Sequence, residues 1–291
     1  MSSSGSVVLI TGASRGIGLE TARFLAEQGC TVYAGTRENP PPPADASLKF
    51  KGRVIPITLD VNHDESVKTA VKAIFERENR LDVLVNNAGY AIMGPLESCS
   101  IQEHQDLFNT LVFGPIRLFQ AVLPWMEEHQ TGKIINIGSQ SGITPSPSHE
   151  SYSAAKAALA SYSISMAARL AFYNIRVSLI DAGPIKTEIA NRAPLGSEHI
   201  NFATSDFQQK SSAIMKQALE NGDDPQKIAH LVWEIIQTDL PQARYQIGSP
   251  AISTAKDLLK DPSGKYDVDR ITDLFIKKGL FPKPEESKMK G

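Results

Sequence analysis

Near its start the chain runs from an apolar segment, Val7-Val8-Leu9-Ile10, through Thr11 into the turn Gly12-Ala13-Ser14-Arg15-Gly16-Ile17-Gly18, and on into a helix-like stretch. An apolar run bounded in this way reads as a strand buried on both faces, which is the condition of a parallel sheet covered by helices. Gly12 and Gly16 let the backbone turn tightly. Gly18 lets the helix approach closely, and the helix's N-terminal amides then face an anion such as a pyrophosphate. The same alternation continues along the chain. Strands are expected at Val7 to Thr11, Thr31 to Thr36, Val54 to Thr58, Val83 to Asn86, Lys133 to Ser139, Arg176 to Asp181 and Arg244 to Ile247. Helices are expected at Gly16 to Gln28, Asp64 to Glu78, Ile101 to Met126, Ser151 to Tyr173 and Pro225 to Gln237. Alternating elements of this kind make the α/β class: a single, doubly wound Rossmann-type parallel sheet with helices on both faces.

With 291 residues, no linker-like shift in composition and no internal repeat, the chain is expected to form one dinucleotide-binding and catalytic domain over 1–291. The proline run Pro40 to Pro43 predicts a short extended crossover rather than a helix. Residues 190–221 lose clear periodicity and are expected to form a substrate loop, with 249–291 as a C-terminal extension. A net charge of −2 gives nucleic acid no electrostatic support. The longest apolar runs, Val7 to Ile10 and Leu81 to Val85, are strand-sized, so no membrane span is expected. Cys30 and Cys99 are expected to be free thiols in a reducing cytoplasm, and the six histidines show no ligand spacing, so no metal is expected.

Tyr152 precedes Lys156 by one helical turn, with Ser139 upstream. Positions i and i+4 share a helix face, so the ammonium is expected beside the phenol. A unit charge about 4 Å away at an effective dielectric near 20 is worth roughly 4 kcal/mol, or about three pKa units. That shift would bring the phenol from about 10 towards about 7, where it exchanges a proton at physiological pH.

Together these features resemble the short-chain dehydrogenase/reductase family. The resemblance rests on the glycine turn, Asn86-Asn87-Ala88-Gly89 after the fourth strand, Ser139, Tyr152-Ser153-Ala154-Ala155-Lys156, and Gly183-Pro184-Ile185-Lys186-Thr187. Within the family it is nearest in style to hydroxysteroid and retinol-type dehydrogenases, through Gly94-Pro95-Leu96-Glu97 and Ala182-Gly183-Pro184-Ile185. It implies a nicotinamide cofactor held by Gly12, Ser14, Arg15, Gly16, Ile17, Gly18, Arg37, Asp60, Val61, Asn87, Ala88, Gly89, Tyr152, Lys156, Gly183, Ile185 and Thr187. Of these, Asp60 and Val61 would hold the adenine, Asn86 to Gly89 would brace the sheet and line the adenosine side, and Ile185 and Thr187 would fix the carboxamide. It also implies Tyr152 as general acid/base, Ser139 as donor to the carbonyl oxygen, and Lys156 as the group that tunes Tyr152 and binds the ribose.

The second strand ends Gly35-Thr36-Arg37, with no carboxylate to accept from ribose hydroxyls. Arg15 and Arg37 suit a 2′-phosphate instead, so NADP(H) is expected. Two residues depart from the family pattern. Leu111 stands where an asparagine helps hold a relay water, and Ala182 replaces a proline and is expected to loosen the backbone there. The substrate cleft is expected to be lined by Ile92, Met93, Ile143, Pro145 and Pro147, which favours an apolar ketone or secondary alcohol. His149 borders it, within reach of a substrate, but is expected to face solvent as a loop residue. Leu107, Phe108, Phe113, Leu118, Phe119, Ala158, Tyr162 and Met166 exceed one core-facing stripe, so a homodimer or homotetramer is expected. The alternative is a dinucleotide-binding sensor or scaffold with weak or lost turnover, which Leu111 and Ala182 favour and the intact Ser139, Tyr152 and Lys156 oppose.

Overall fold

The computed structural model describes residues 5–37, 50–188 and 202–258, together with 273, 276 and 277. Seven parallel strands form one sheet in the order β3-β2-β1-β4-β5-β6-β7. They are β1 (Val7–Thr11), β2 (Thr31–Thr36), β3 (Arg53–Thr58), β4 (Val83–Asn86), β5 (Gly132–Ile137), β6 (Ile175–Ala182) and β7 (Arg244–Ile247). The apolar strands β1 and β4 are buried at every position, whereas edge strand β3 is half-exposed and carries Pro56, tolerable at an edge.

Alternate residues of β1 serve the two faces of the sheet. Val8 and Ile10 pack with Leu25 of α1 (Gly16–Glu27) and with Ile228 and Val232 of the later helix α7 (Gln226–Gln237). Val7 and Leu9 pack with Ile74 of α2 (Asp64–Glu78) and with Leu118 and Val122 of α4 (Gly114–His129). Each such fully buried Leu, Ile or Val contributes about 1.5–3 kcal/mol relative to an exposed one. α7 buries Ile228, Ala229, Val232, Ile235 and Ile236, the spacing of one helical stripe.

The continuous helix expected from Ile101 to Met126 is broken. α3 (Ile101–Phe108) starts at a capping box, with the Glu103 N–H donating to Ser100 Oγ and the Ser100 N–H to the Glu103 carboxylate. A π-helical turn, Asn109–Phe113, separates it from α4. The physical reason is Pro115, which has no N–H to give and whose ring would strike a preceding carbonyl in a regular helix; the widened turn absorbs it. By length and composition Ile101–His129 is also apolar enough to cross a membrane, a property the strand-sized runs did not register, and half of that window is buried inside the protein.

α5 (Glu150–Leu170) ends in a short 3-10 turn, Ala171–Tyr173. Within the expected substrate loop the chain forms α6 (Phe202–Glu220), and in the expected C-terminal extension α8 (Ser249–Leu258). The Pro40 to Pro43 crossover, residues 190–201 of the expected substrate loop and most of the C-terminal extension lie outside the described residues. Burial pushes the Cys30 thiol up to about 11 and raises that of Cys99, so both are poor nucleophiles. The strand order reverses between β1 and β4, and the crevice beyond their C-terminal ends is where such sheets hold ligands.

Candidate active site

Strands β1 and β4 are locked together where they open into the crevice. Thr11 Oγ1 accepts the N–H groups of Asn87 and Ala88, each at 3.0 Å, while Asn87 Nδ2 donates to the carbonyls of Thr11 at 2.9 Å and Gly12 at 3.1 Å. Asn86 continues the brace inward. Its Nδ2 donates to Asn136 Oδ1, Asn136 Nδ2 donates to Ser163 Oγ on α5, and Ser163 Oγ donates to the Leu159 carbonyl. Every member of this buried chain has a partner, so it orders the sheet floor rather than weakening it.

A cleft of about 1530 Å³ opens over this floor. Gly12, Ser14, Arg15, Gly16 and Ile17 line it at the glycine turn, and Arg37, Asp60 and Val61 at the ends of β2 and β3. Asn87, Ala88 and Gly89 line it beyond β4, Ser139, Tyr152 and Lys156 at its centre, and Gly183, Ile185 and Thr187 beyond β6. Gly18 alone of the expected site residues is not part of the lining. It sits behind the turn, where a Cβ would lie 2.5 Å from the Gly12 carbonyl oxygen and 2.5 Å from Asn87 Nδ2. Gly12 adopts φ +66°, and a Cβ there would come within 2.7 Å of Ala88 Cα. α1 begins at Arg15 with no side-chain cap and no acid in its first turn, so its leading N–H groups are left for an anion at the mouth of the cleft. Uncapped amides, close-approach glycines and two nearby guanidinium groups fit a nicotinamide dinucleotide, which supplies a hydride-transferring ring when bound.

Ser139 follows β5, its Oγ accepting the Ser141 N–H at 3.1 Å and so capping the turn Gln140–Gly142. Tyr152 and Lys156 lie on the same side of α5, with Nζ 5.7 Å from the tyrosine ring centroid. Lys156 is buried and donates to the Ile137 carbonyl at 2.7 Å. Burial draws its ammonium down to about 8, against the opposing charge of Asp181. For Tyr152, burial pushes the phenol above its usual value and outweighs a hydrogen bond with Ser139 that draws it down. The expected descent of the phenol towards neutrality is thus corrected: removing both groups from water disfavours both charged forms, and the ammonium spends its hydrogen bond on Ile137. The phenol keeps its proton at neutral pH, the form a general acid needs.

Other expectations are corrected. Of the five residues expected to line the cleft only Met93 does: Ile92 is buried against Leu107, Leu111 and Val112, Ile143 is buried, Pro145 is exposed and Pro147 half-buried, all four outside the lining, and Tyr90, Ala91, Met215 and Leu219, the last two from α6, take their place. His149 does not face solvent: it is 5% exposed and lines the cleft. Ala182 does not loosen its segment. It pairs with Ile247, the Gly183 N–H donates to the Ile247 carbonyl, and Asp223 bonds the backbone of Pro184 and Lys186. Leu111 sits in the π-helical turn, buried, its side chain filling the space over Gly89. The α6 contribution had no sequence signal, because apolar residues are too sparse there to show a period.

A family model described as short chain dehydrogenase matches residues 6–196. The chain belongs to the short-chain dehydrogenase family. It is 35% identical to a 3-ketodihydrosphingosine reductase of Bacteroides thetaiotaomicron over 83% of this chain and 87% of the relative. It is 32% identical to an estradiol 17-beta-dehydrogenase 1 of Rattus norvegicus over 94% of this chain and 84% of the relative. A solved short chain dehydrogenase from Burkholderia cenocepacia, in complex with NADP, superposes with a TM-score of 0.71 at 26% identity, covering 93% of this chain and 99% of that one. Other solved chains of the same fold are complexes with NAD. The protein is therefore a nicotinamide-dinucleotide oxidoreductase acting between CH–OH and C=O.

Proposed function

We propose that this protein is an NADP(H)-dependent reductase of an apolar ketone, or in reverse a dehydrogenase of the secondary alcohol, working as one domain with Tyr152 as general acid/base. The observation that carries the reading is the convergence of Ser139, Tyr152 and Lys156 in the cleft. Ser139 Oγ orients and polarises the substrate oxygen, Tyr152 gives that oxygen its proton as negative charge develops, and Lys156 restores charge balance beside the phenol. Tyr152 enters reduction already protonated, the form that delivers a proton to the carbonyl oxygen.

The choice of NADP(H) rests on Arg15 and Arg37, exposed at the adenosine end, and on buried Thr36 standing where an acid would accept from ribose hydroxyls. The apolar substrate rests on Ala91, Met93, Met215 and Leu219 in the lining. The names of the two relatives, one for a sphingoid ketone and one for a steroid alcohol, support it. NADPH oxidation measured over steroid, retinoid, quinone and short ketones tests the reading, with kcat/KM expected to be higher for NADPH than for NADH and the order to reverse in Arg37→Asp. An equal or higher value for NADH in the wild-type protein refutes the cofactor assignment. Leu111, with no polar side chain at the relay position, favours a second reading, a dinucleotide-binding sensor; tight NADPH binding with no turnover across the panel would select it.

A further inference from the structure

We propose that His149 is a substrate-recognition residue whose Nε2 accepts a hydrogen bond from a hydroxyl or amine carried beside the reacting carbonyl. The inference deepens the proposed reaction and rests on it. His149 lines the cleft three residues before Tyr152, at the entry to α5, where i and i+3 positions are neighbours. It is 5% exposed, and its Nε2 is sheltered from solvent with no hydrogen-bond partner among the described residues. Nδ1 lies 3.3 Å from the Pro147 carbonyl oxygen. A carbonyl only accepts, so Nδ1 carries the proton and Nε2 of the neutral ring is an acceptor. Burial lowers the imidazole's pKa, which keeps it in that neutral form. A buried acceptor with no partner is costly, and a ligand that brings a donor removes the cost.

The ring is held there against backbone strain. Ser148 adopts φ +64°, a left-handed conformation unusual for a residue with a side chain. Three contacts fix it: its carbonyl accepts the Gly94 N–H at 3.1 Å, its N–H donates to Glu150 Oε1 at 3.0 Å, and Ser211 Oγ of α6 donates to its Oγ at 3.0 Å. A strained residue determined from three sides, next to a buried ring with an idle acceptor, has the character of a ligand clamp. Ser139 and Tyr152 each commit their one hydroxyl proton to the carbonyl oxygen and Ser139 Oγ already accepts the Ser141 N–H, so the idle His149 acceptor is the group poised for a second donor on the ligand. Met215 and Leu219, from the same α6 helix, leave the rest of the ligand an apolar wall.

The test compares acetophenone with 2-hydroxy-1-phenylethanone, which adds one hydroxyl beside the carbonyl. With NADPH, the wild-type protein should prefer the hydroxy ketone in kcat/KM. His149→Phe, which keeps an aromatic ring and removes the acceptor, should lower kcat/KM for the hydroxy ketone by roughly 10- to 100-fold, with acetophenone changed less than about threefold. His149→Gln, which keeps an acceptor, should recover part of the loss. In parallel, protein with ¹⁵N-labelled histidine and bound NADP+, which cannot reduce either ketone, should show the His149 Nε2 resonance move with the hydroxy ketone and stay in place with acetophenone. Equal losses on both ketones in His149→Phe, or an Nε2 signal that the hydroxy ketone leaves in place, overturns the inference. If the wild-type protein turns over neither ketone, the reductase reading fails on these substrates, and the nitrogen signal still decides the role of His149.

Discussion

Gly18→Ala sets two opposing effects against each other. Alanine is the better helix former, and the exchange in a helix is worth about 1 kcal/mol in its favour. Against this, the new Cβ would stand 2.5 Å from the Gly12 carbonyl oxygen, 2.5 Å from Asn87 Nδ2 and 3.0 Å from Ala13 Cα, so part of what must move is backbone. Overpacking of this kind costs about 1–3 kcal/mol. Displacing the Asn87 amide also loosens its bonds to Thr11 and Gly12, at about 1 kcal/mol each. The sum, about 3–5 kcal/mol of cost against about 1 of gain, predicts a net loss of about 2–4 kcal/mol. Urea denaturation read by tryptophan fluorescence should show a lower midpoint at unchanged slope, and a fluorescence titration should show weaker NADPH binding. A variant as stable as the wild-type protein, or more so, would refute the claim that α1 is seated against the end of β4 through this glycine.

Three further outcomes are expected. Lys133 Nζ donates to the carbonyls of Ile235, Ile236 and Thr238 at 3.1, 2.5 and 2.7 Å, closing the end of α7, so Lys133→Met should cost about 2–4 kcal/mol in urea denaturation with NADPH affinity unchanged; an unshifted midpoint contradicts it. Lys156, held at about 8 in the fold against 10.5 for a free side chain, binds fewer protons folded than unfolded between those values, so cofactor-free stability should rise with pH from about 8 to 10 relative to Lys156→Met. The raised Tyr152 phenol adds the opposite slope above about 10, where the unfolded tyrosine ionises first, and a wild-type profile parallel to that of Lys156→Met contradicts the Lys156 assignment. Phe113 and Tyr162 are 50% and 45% exposed, and we propose that they join copies of the chain; the double Lys variant should sediment as a monomer and the wild-type protein as a dimer or tetramer, and a monomeric wild-type protein contradicts this.

Elements that carry their own pattern were legible in the sequence. β1, β2, β4 and β7 span the residues expected for them, and α2 spans Asp64–Glu78 as its acidic start and apolar stripe require. The gathering of Ser139, Tyr152 and Lys156 over the glycine turn followed from motif order along the chain. The π-helical turn did not, because one widened turn barely disturbs the apolar period; Pro115, inside an otherwise helical pattern, was its only local mark. The burial of His149 depends on α6 reaching over from some sixty residues later to hold Ser148, a contact no local pattern encodes. The phenol's pKa was misjudged for a related reason. A helix spacing sets which side chains are neighbours, but the depth at which they are buried is a tertiary fact, and here depth outweighs proximity.

The central claim, that the Tyr152 phenol delivers the proton in carbonyl reduction, is tested most directly by single-turnover NADPH oxidation with saturating ketone in Tyr152→Phe beside the wild-type protein. At saturating NADPH the account predicts a rate lower by about 10²- to 10⁴-fold. A Tyr152→Phe protein that oxidises NADPH at the wild-type rate would contradict it.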